Sequence, residues 1–144
     1  MSDKDELSVS SEATTIGDGY IPAMVEINLF RNARDAIVVE PGHVIFREGD
    51  RSDVMFAVVE GEVELLQRGV VIERVGPGGI LGELGLIDDA PRSATATAVS
   101  PARIVRVDKP QFVYLVQEHP TFALMVMSVM AERLRRNPVV SSAN

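Results

Sequence analysis

The chain has 144 residues, a formal charge of −7 and 46% apolar residues, which is ample for the core of one ordinary domain and too short for two. That acidic balance argues against a nucleic-acid surface, which normally shows as a basic stripe, so an anionic ligand must be held by local groups. No cysteine is present, which excludes both a disulfide framework and a thiolate site.

Residues 1 to 19 are rich in Ser, Thr, Asp and Glu and read as a flexible tail ahead of a domain spanning 20–137. The opening Met1 to Glu6 is acidic and lacks the apolar centre of a signal peptide. The longest nearly unbroken apolar run, Phe122 to Ala131, is too short to span a bilayer, and the expectation is a cytoplasmic protein. Between Ile21 and Arg34, the residues Met24, Val25, Ile27, Leu29 and Phe30 fit either a short helix or an irregular packing segment.

From Asp35 the pattern becomes short β-branched runs separated by glycine turns. The runs are Ala36–Glu40, Val44–Arg47, Val54–Val59, Glu62–Gln67, Val70–Val75, Ala94–Val99 and Arg103–Val107. Strands this closely spaced imply an antiparallel sandwich or barrel. Val63 and Leu65 share one face, as do Val71, Glu73 and Val75 on the next strand. Val63, Leu65 and Val75 are therefore weaker candidates for a wall against which a base lies, or else plain core filling.

The stretch from Gly78 to Ala98, GGILGELGLIDDAPRSATATA, looks most built for chemistry. A glycine-rich entry leads to a helix of one or two turns from Gly82, whose first N–H groups lack internal partners. Such an end suits a phosphate, and Gly82 lets a ligand approach the backbone. After the turn Asp88-Asp89-Ala90-Pro91, Arg92 offers a fork of donors matched to phosphate oxygens. Glu83 is an acceptor suited to a sugar hydroxyl. A compact ligand carrying ribose and one phosphate satisfies both. Ser93 and Ala94 add backbone N–H groups, and Asp88 and Asp89 are expected to face solvent.

Beyond Val107, Lys109-Pro110 opens a helix running to Glu118, with the proline where its missing N–H costs little. His119-Pro120 breaks it. A second helix is expected from Thr121, as N-cap, to about Arg136, ending at Asn137-Pro138 ahead of a short tail, 138–144. Its apolar residues cover roughly 200° of the helix surface, with Met125 straying to the polar side. A helix resting on one sheet needs a stripe of only about 100°. The excess must be covered by the segment Ile21–Phe30 or by the same helix of a second subunit.

The motif G-E-L-x-L followed by P-R-x-A-T resembles the phosphate-binding cassette of the cyclic nucleotide-binding domain family, of the catabolite activator protein and cyclic AMP-dependent kinase regulatory subunit type. Pro41 to Asp50 is similar to the family's first turn and strand pair, and Phe56 to Val63 to its central hairpin. The resemblance runs from about Asp35 to Arg136. It implies a mainly β fold with α, a double-stranded β-helix (jelly-roll barrel) with a short cassette helix and C-terminal helices. It implies a ligand, cyclic AMP or less readily cyclic GMP, bound by Gly82, Glu83, Leu84, Arg92, Ser93 and Ala94. It further implies a stand-alone sensor that signals to an effector protein and pairs weakly with itself through the last helix. A ligand-free interaction module of the same fold is the alternative. A metal enzyme of similar fold would need clustered ligands, but His43 and His119 are the chain's two histidines and neither has ligand spacing. The expectation is a binding domain with neither catalysis, metal nor cofactor.

Overall fold

A computed structural model describes Phe30 and residues 35–136. The expected tails, 1–19 and 138–144, and the segment 21–29 lie outside the described residues. The chain forms β1 (Ile37–Val39), β2 (Val44–Phe46), β3 (Met55–Glu60), β4 (Val63–Gln67), β5 (Val70–Val75), β6 (Ile80–Leu81), α1 (Glu83–Asp88), β7 (Thr95–Ala98), β8 (Ala102–Val107), α2 (Lys109–Glu118) and α3 (Pro120–Arg136). The strands pair antiparallel into two four-stranded sheets, β1-β8-β3-β6 and β2-β7-β4-β5. The jelly roll is therefore a pair of packed sheets that hydrogen bonding does not close into a barrel. The strand β6 escapes a sequence reading because two apolar residues at a glycine turn carry no period. It is made by pairing, Phe56 opposite Leu81 and Ala57 opposite Ile80.

The first sheet is covered on both faces. Phe56, Val58, Leu81 and Ile104 meet Val63, Leu65, Val75 and Ala96 of the second sheet. On the other side, Met55, Ala57, Val59, Val105 and Val107 pack against Phe122, Met125 and Val126 of α3. This explains why five successive residues of β3 are buried with no alternation. The second sheet buries one face, and β4 alternates accordingly over its first residues. A register shift between Leu65 and Leu66 then breaks the face expected for β5, leaving Val71 exposed while Val75 stays in the core.

The helices begin where local chemistry allows. Asp108 and Gln111 form a reciprocal capping box ahead of α2, with both bonds at 2.9 Å and Pro110 in the first turn. The next helix starts at Pro120, so Thr121 lies inside it and is not its N-cap. A proline at the first helical position forfeits a donor that had no partner anyway. Phe122, fully buried, meets Phe30 and Phe112 edge-on at centroid distances of 6.1 and 5.7 Å. Met125, placed on the polar side by periodicity, is buried, whereas Leu124, Met127 and Leu134 are exposed. The packed arc of α3 is thus rotated from the centre of its apolar surface toward Phe122, Met125, Val126 and Val129.

Gly61, in the turn between β3 and β4, has φ +86, and a Cβ there would lie 2.6 Å from Ala102 Cα. Both the left-handed backbone and the close approach require glycine. Gly61→Ala is expected to destabilise the domain by about 2 kcal/mol or more in urea unfolding. Unchanged stability would show that the β3–β4 turn relaxes freely.

Candidate functional site

The strand β6 delivers the chain into the cassette through Gly82, which has φ 80 and ψ 10 and caps α1 without a side-chain hydrogen bond. A Cβ on Gly82 would stand 2.6 Å from Arg92 Nη1, and one on Gly85 would stand 2.8 Å from the Ser52 carbonyl. These glycines exist because the arginine and the β2–β3 loop occupy that space. The helix ends at Asp89, φ 62, whose N–H donates to the Gly85 carbonyl at 3.1 Å. Arg51 Nη1 donates to the Asp89 carbonyl at 3.1 Å. Asp88 and Asp89 are both exposed, as the sequence suggested.

The backbone around Arg92 is clasped by the β2–β3 loop. Gly49 N–H donates to the Arg92 carbonyl at 2.8 Å, Arg92 N–H to the Asp50 carbonyl at 2.7 Å, and Glu48 N–H to Thr95 Oγ1 at 2.9 Å. The Arg92 side chain is only 4% exposed. Its Nη1 donates to the Gly82 carbonyl at 3.0 Å, and its Cζ stands 4.2 Å above the centre of the Phe46 ring. Nε has no partner, and the guanidinium forms no ion pair with a carboxylate among the described residues. Burial pushes its pKa below the ordinary arginine value, against the opposing charges of Asp50, Glu83 and Asp53, yet it stays protonated at neutral pH. A buried charge without a counter-ion is costly. That cost marks a place where an anion is welcome. A cavity of about 320 Å³ runs beside Arg92, Phe46, Phe56, Asp50 and Ser52; Gly82, Glu83, Leu84, Ser93 and Ala94 do not line it.

Glu83 opens α1 and is 2% exposed. It accepts a 2.7 Å hydrogen bond from Arg133 Nη1 on α3. The same guanidinium grips Glu73 on β5 through Nε and Nη2, both at 2.9 Å, and Nη2 also reaches the Ile80 carbonyl at 2.8 Å. Arg136 adds a 3.2 Å contact to Glu73. Burial acts to raise the Glu73 pKa, but hydrogen bonding and charge from Arg133, with Arg136, hold it below the ordinary value. Burial likewise acts to lower the Arg133 pKa, and the charge of Glu83 with the pairing to Glu73 raises it overall.

Sequence reasoning missed Arg133 and Glu73. The signal was present: Arg133 follows Val126 by seven positions and Val129 by four, on the apolar arc, where an arginine demands a buried partner. The other candidates fall in two groups. Gly82 and Leu84 are half-buried at the cassette entry, and Ser93 is exposed with its carbonyl accepting from Gln67 Nε2 at 2.9 Å. Ala94, Val63, Leu65 and Val75 are buried in the core between the sheets. Val63 pairs with Val75, and Leu65 with Glu73, which puts the Arg133 cluster beside that layer.

Two outcomes test this cluster. Arg133→Met leaves Glu83 buried without its counter-ion and should cost about 3–5 kcal/mol in urea unfolding; a loss under about 1 kcal/mol would mean that solvent reaches the site. Because the folded-state pKa of Glu73 is depressed, its stabilisation is present above the unfolded carboxylate range and is lost as pH falls below about 4.5. Stability measured from pH 6 to 3 should therefore fall less steeply in Glu73→Gln than in the wild-type protein.

Comparison with known proteins agrees with this fold. The sequence model for "Cyclic nucleotide-binding domain" matches residues 36–119, more than half of the chain. A "CRP-like cAMP-activated global transcriptional regulator" of Mycobacterium tuberculosis is 29% identical over 100 residues, covering 66% of this chain and 45% of that protein. A lysophospholipase of Neurospora crassa is 30% identical over 108 residues, which is 72% of this chain and 7% of the relative. The chain thus spans less than half the length of these curated relatives. Among solved structures, the catabolite activator protein of Thermus thermophilus superposes with a TM-score of 0.69 at 25% identity, over 85% of this chain and 62% of the other. A cAMP-bound chain named PfPKA-R shares the fold, with a TM-score of 0.65 at 20% identity over 83% of this chain and 45% of its own. Sequence, fold and cassette agree: this chain belongs to the cyclic nucleotide-binding domain family.

Proposed function

We propose that the domain binds a cyclic mononucleotide, cyclic AMP in preference to cyclic GMP, and conveys its occupancy to a partner protein through α3, in the cytoplasm and without catalysis. The observation that carries the reading is Arg92, a buried cation with an unpartnered Nε and no carboxylate partner among the described residues. A phosphate supplies the missing charge, with further donors from the backbone at Gly82 and Leu84 and at Ser93 and Ala94. Glu83 gives Arg133 one oxygen and keeps the other for the ribose hydroxyl. The base lies toward the layer of Val63, Leu65 and Val75. The names of the mycobacterial regulator and of PfPKA-R favour cyclic AMP. The lysophospholipase likeness covers 7% of that enzyme and carries no catalytic group to this chain.

Since Glu83 is held by α3 and also faces the proposed ribose, binding acts on the helix. The exposed Leu124, Met127 and Leu134 on that helix suit a twofold contact with a second copy, a weak one given the small surface. A second reading, a ligand-free interaction module, is favoured by the dense burial of Val63, Leu65 and Val75.

Calorimetric titration with cyclic AMP and cyclic GMP separates the two readings: no heat from either nucleotide removes the first. Arg92→Leu should weaken binding by over about a hundredfold in a folded protein, since charged hydrogen bonds contribute about 1.5–3 kcal/mol each. Competition between the two nucleotides in wild type and in Ser93→Ala tests the base, and a preference for cyclic GMP that disappears with the hydroxyl would reverse the assignment. For the pairing of copies, light scattering should show a concentration-dependent dimer that shifts with nucleotide and is lost in Met127→Glu. A monomer throughout would remove the twofold contact.

A further inference from the structure

We infer that Phe46 is a positioning residue for Arg92: its ring stands in for the missing counter-ion and holds the guanidinium at the cassette. The inference rests on the proposed function for its consequence in binding. Its geometry stands by itself. Arg92 Cζ lies 4.2 Å above the Phe46 ring centre, well inside the range in which the negative face of an aromatic ring attracts a cation. Such attraction grows when the pair is out of water, and Arg92 is 4% exposed. Asp50, Asp53 and Glu83 act on its charge, yet none forms an ion pair with it.

The chain around the ring is arranged to present it. Phe46 follows a register shift on β2, where Val44 pairs with Thr97 and Phe46 with Ala96, and bulges of this kind re-aim a side chain. The partner Ala96 is fully buried and small, which leaves room for a ring. From the opposite sheet Phe56 stacks on Phe46 with centroids 6.1 Å apart and planes 28° apart. Guanidinium, Phe46 and Phe56 therefore form a three-member stack across the two sheets. Arg92, Phe46 and Phe56 all line the cavity of about 320 Å³. The one hydrogen bond of the guanidinium among the described residues goes to the Gly82 carbonyl, so the ring is its other close polar support.

The test combines a spectroscopic and a binding readout on the full chain. In the nucleotide-free, arginine-labelled protein, the Arg92 Nε–H resonance is identified by its loss in Arg92→Leu. Protons above a ring face resonate upfield, and Phe46→Leu, which keeps an apolar side chain, should move this resonance back to the ordinary arginine position. Phe46→Tyr should leave it upfield. In calorimetric titration with cyclic AMP, Phe46→Leu should bind about five- to tenfold more weakly than wild type, and Phe46→Tyr within about twofold of wild type. A resonance unmoved by Phe46→Leu overturns the inference whatever the titration gives. A resonance that moves with equal affinities shows that the ring holds the arginine without serving binding, and overturns the positioning role. Wild type that binds neither cyclic nucleotide while its resonance still moves defeats the proposed function and leaves the aromatic support of Arg92 standing.

Discussion

A guanidinium enclosed by protein, with no carboxylate partner among the described residues, is the constraint around which the cassette is arranged. Taking such a charge out of water costs several kcal/mol unless polar or π partners replace the solvent. Every close neighbour of Arg92 reflects that cost. Gly82 and Gly85 leave out side chains that would collide with Nη1 or with the loop behind it. Gly82 turns its carbonyl to accept from Nη1, and Phe46 offers the face of its ring. The turn at Gly49-Asp50 fixes the Arg92 backbone with two short hydrogen bonds, so the side chain leaves the sheet from a defined point. These provisions hold the cation in place and still leave Nε unpartnered.

A second, largely covered arginine shows the opposite solution. Among the described residues Arg133 bonds two carboxylates and a carbonyl, at 2.7 to 2.9 Å. Its charge is neutralised within the fold, and its function there is attachment: one guanidinium ties α3 to β5, to the start of β6 and to the first residue of α1. Arg92 is buried and Arg133 partly so, and the two are partnered differently. A fully partnered arginine builds structure, and an unpartnered one is receptive to an anion. Glu83 stands between these two systems, since it bonds Arg133 and its charge acts on Arg92.

How much of this was legible depends on the range of the signal. The cassette could be read because its parts are local: glycine, glutamate and arginine lie within eleven residues, in an order that only a few chemistries use. The seven expected strands and both long helices were legible from period and punctuation. What was lost is non-local. The strand β6 exists only by pairing with β3, and the bulge after Leu65 turns Val71 outward by a rule that no alternation reveals. Phe46 looked like one apolar residue in a strand, because its importance comes from an arginine 46 positions later. Arg133 is 50 positions from Glu83 and 60 from Glu73. Which part of the wide apolar surface of α3 packs was not legible for the same reason: periodicity finds the arc, but the position of the sheet decides which part of it is used.

That choice of face determines how α3 is held. Near its start Phe122 is fully buried between Phe30 and Phe112, an attachment made of aromatic area. Eleven residues later Arg133 makes the polar attachment, about 16 Å along the helix at 1.5 Å per residue. Between them Met125 and Val126 are packed and Leu124 and Met127 lie open. The two ends differ in kind. The apolar end is non-directional and gives way only if the core opens, whereas the polar end is a set of short, oriented bonds to carboxylates. One of those carboxylates is the proposed ribose acceptor, so a ligand at the cassette meets the polar end directly and the aromatic end not at all. Coupling between sites typically amounts to about 1–3 kcal/mol. Gain of a single charged hydrogen bond, about 1.5–3 kcal/mol, is enough to supply it. A hydrogen bond gained at the second oxygen of Glu83, beside the one held by Arg133, therefore has the right magnitude to be felt at the far end of α3.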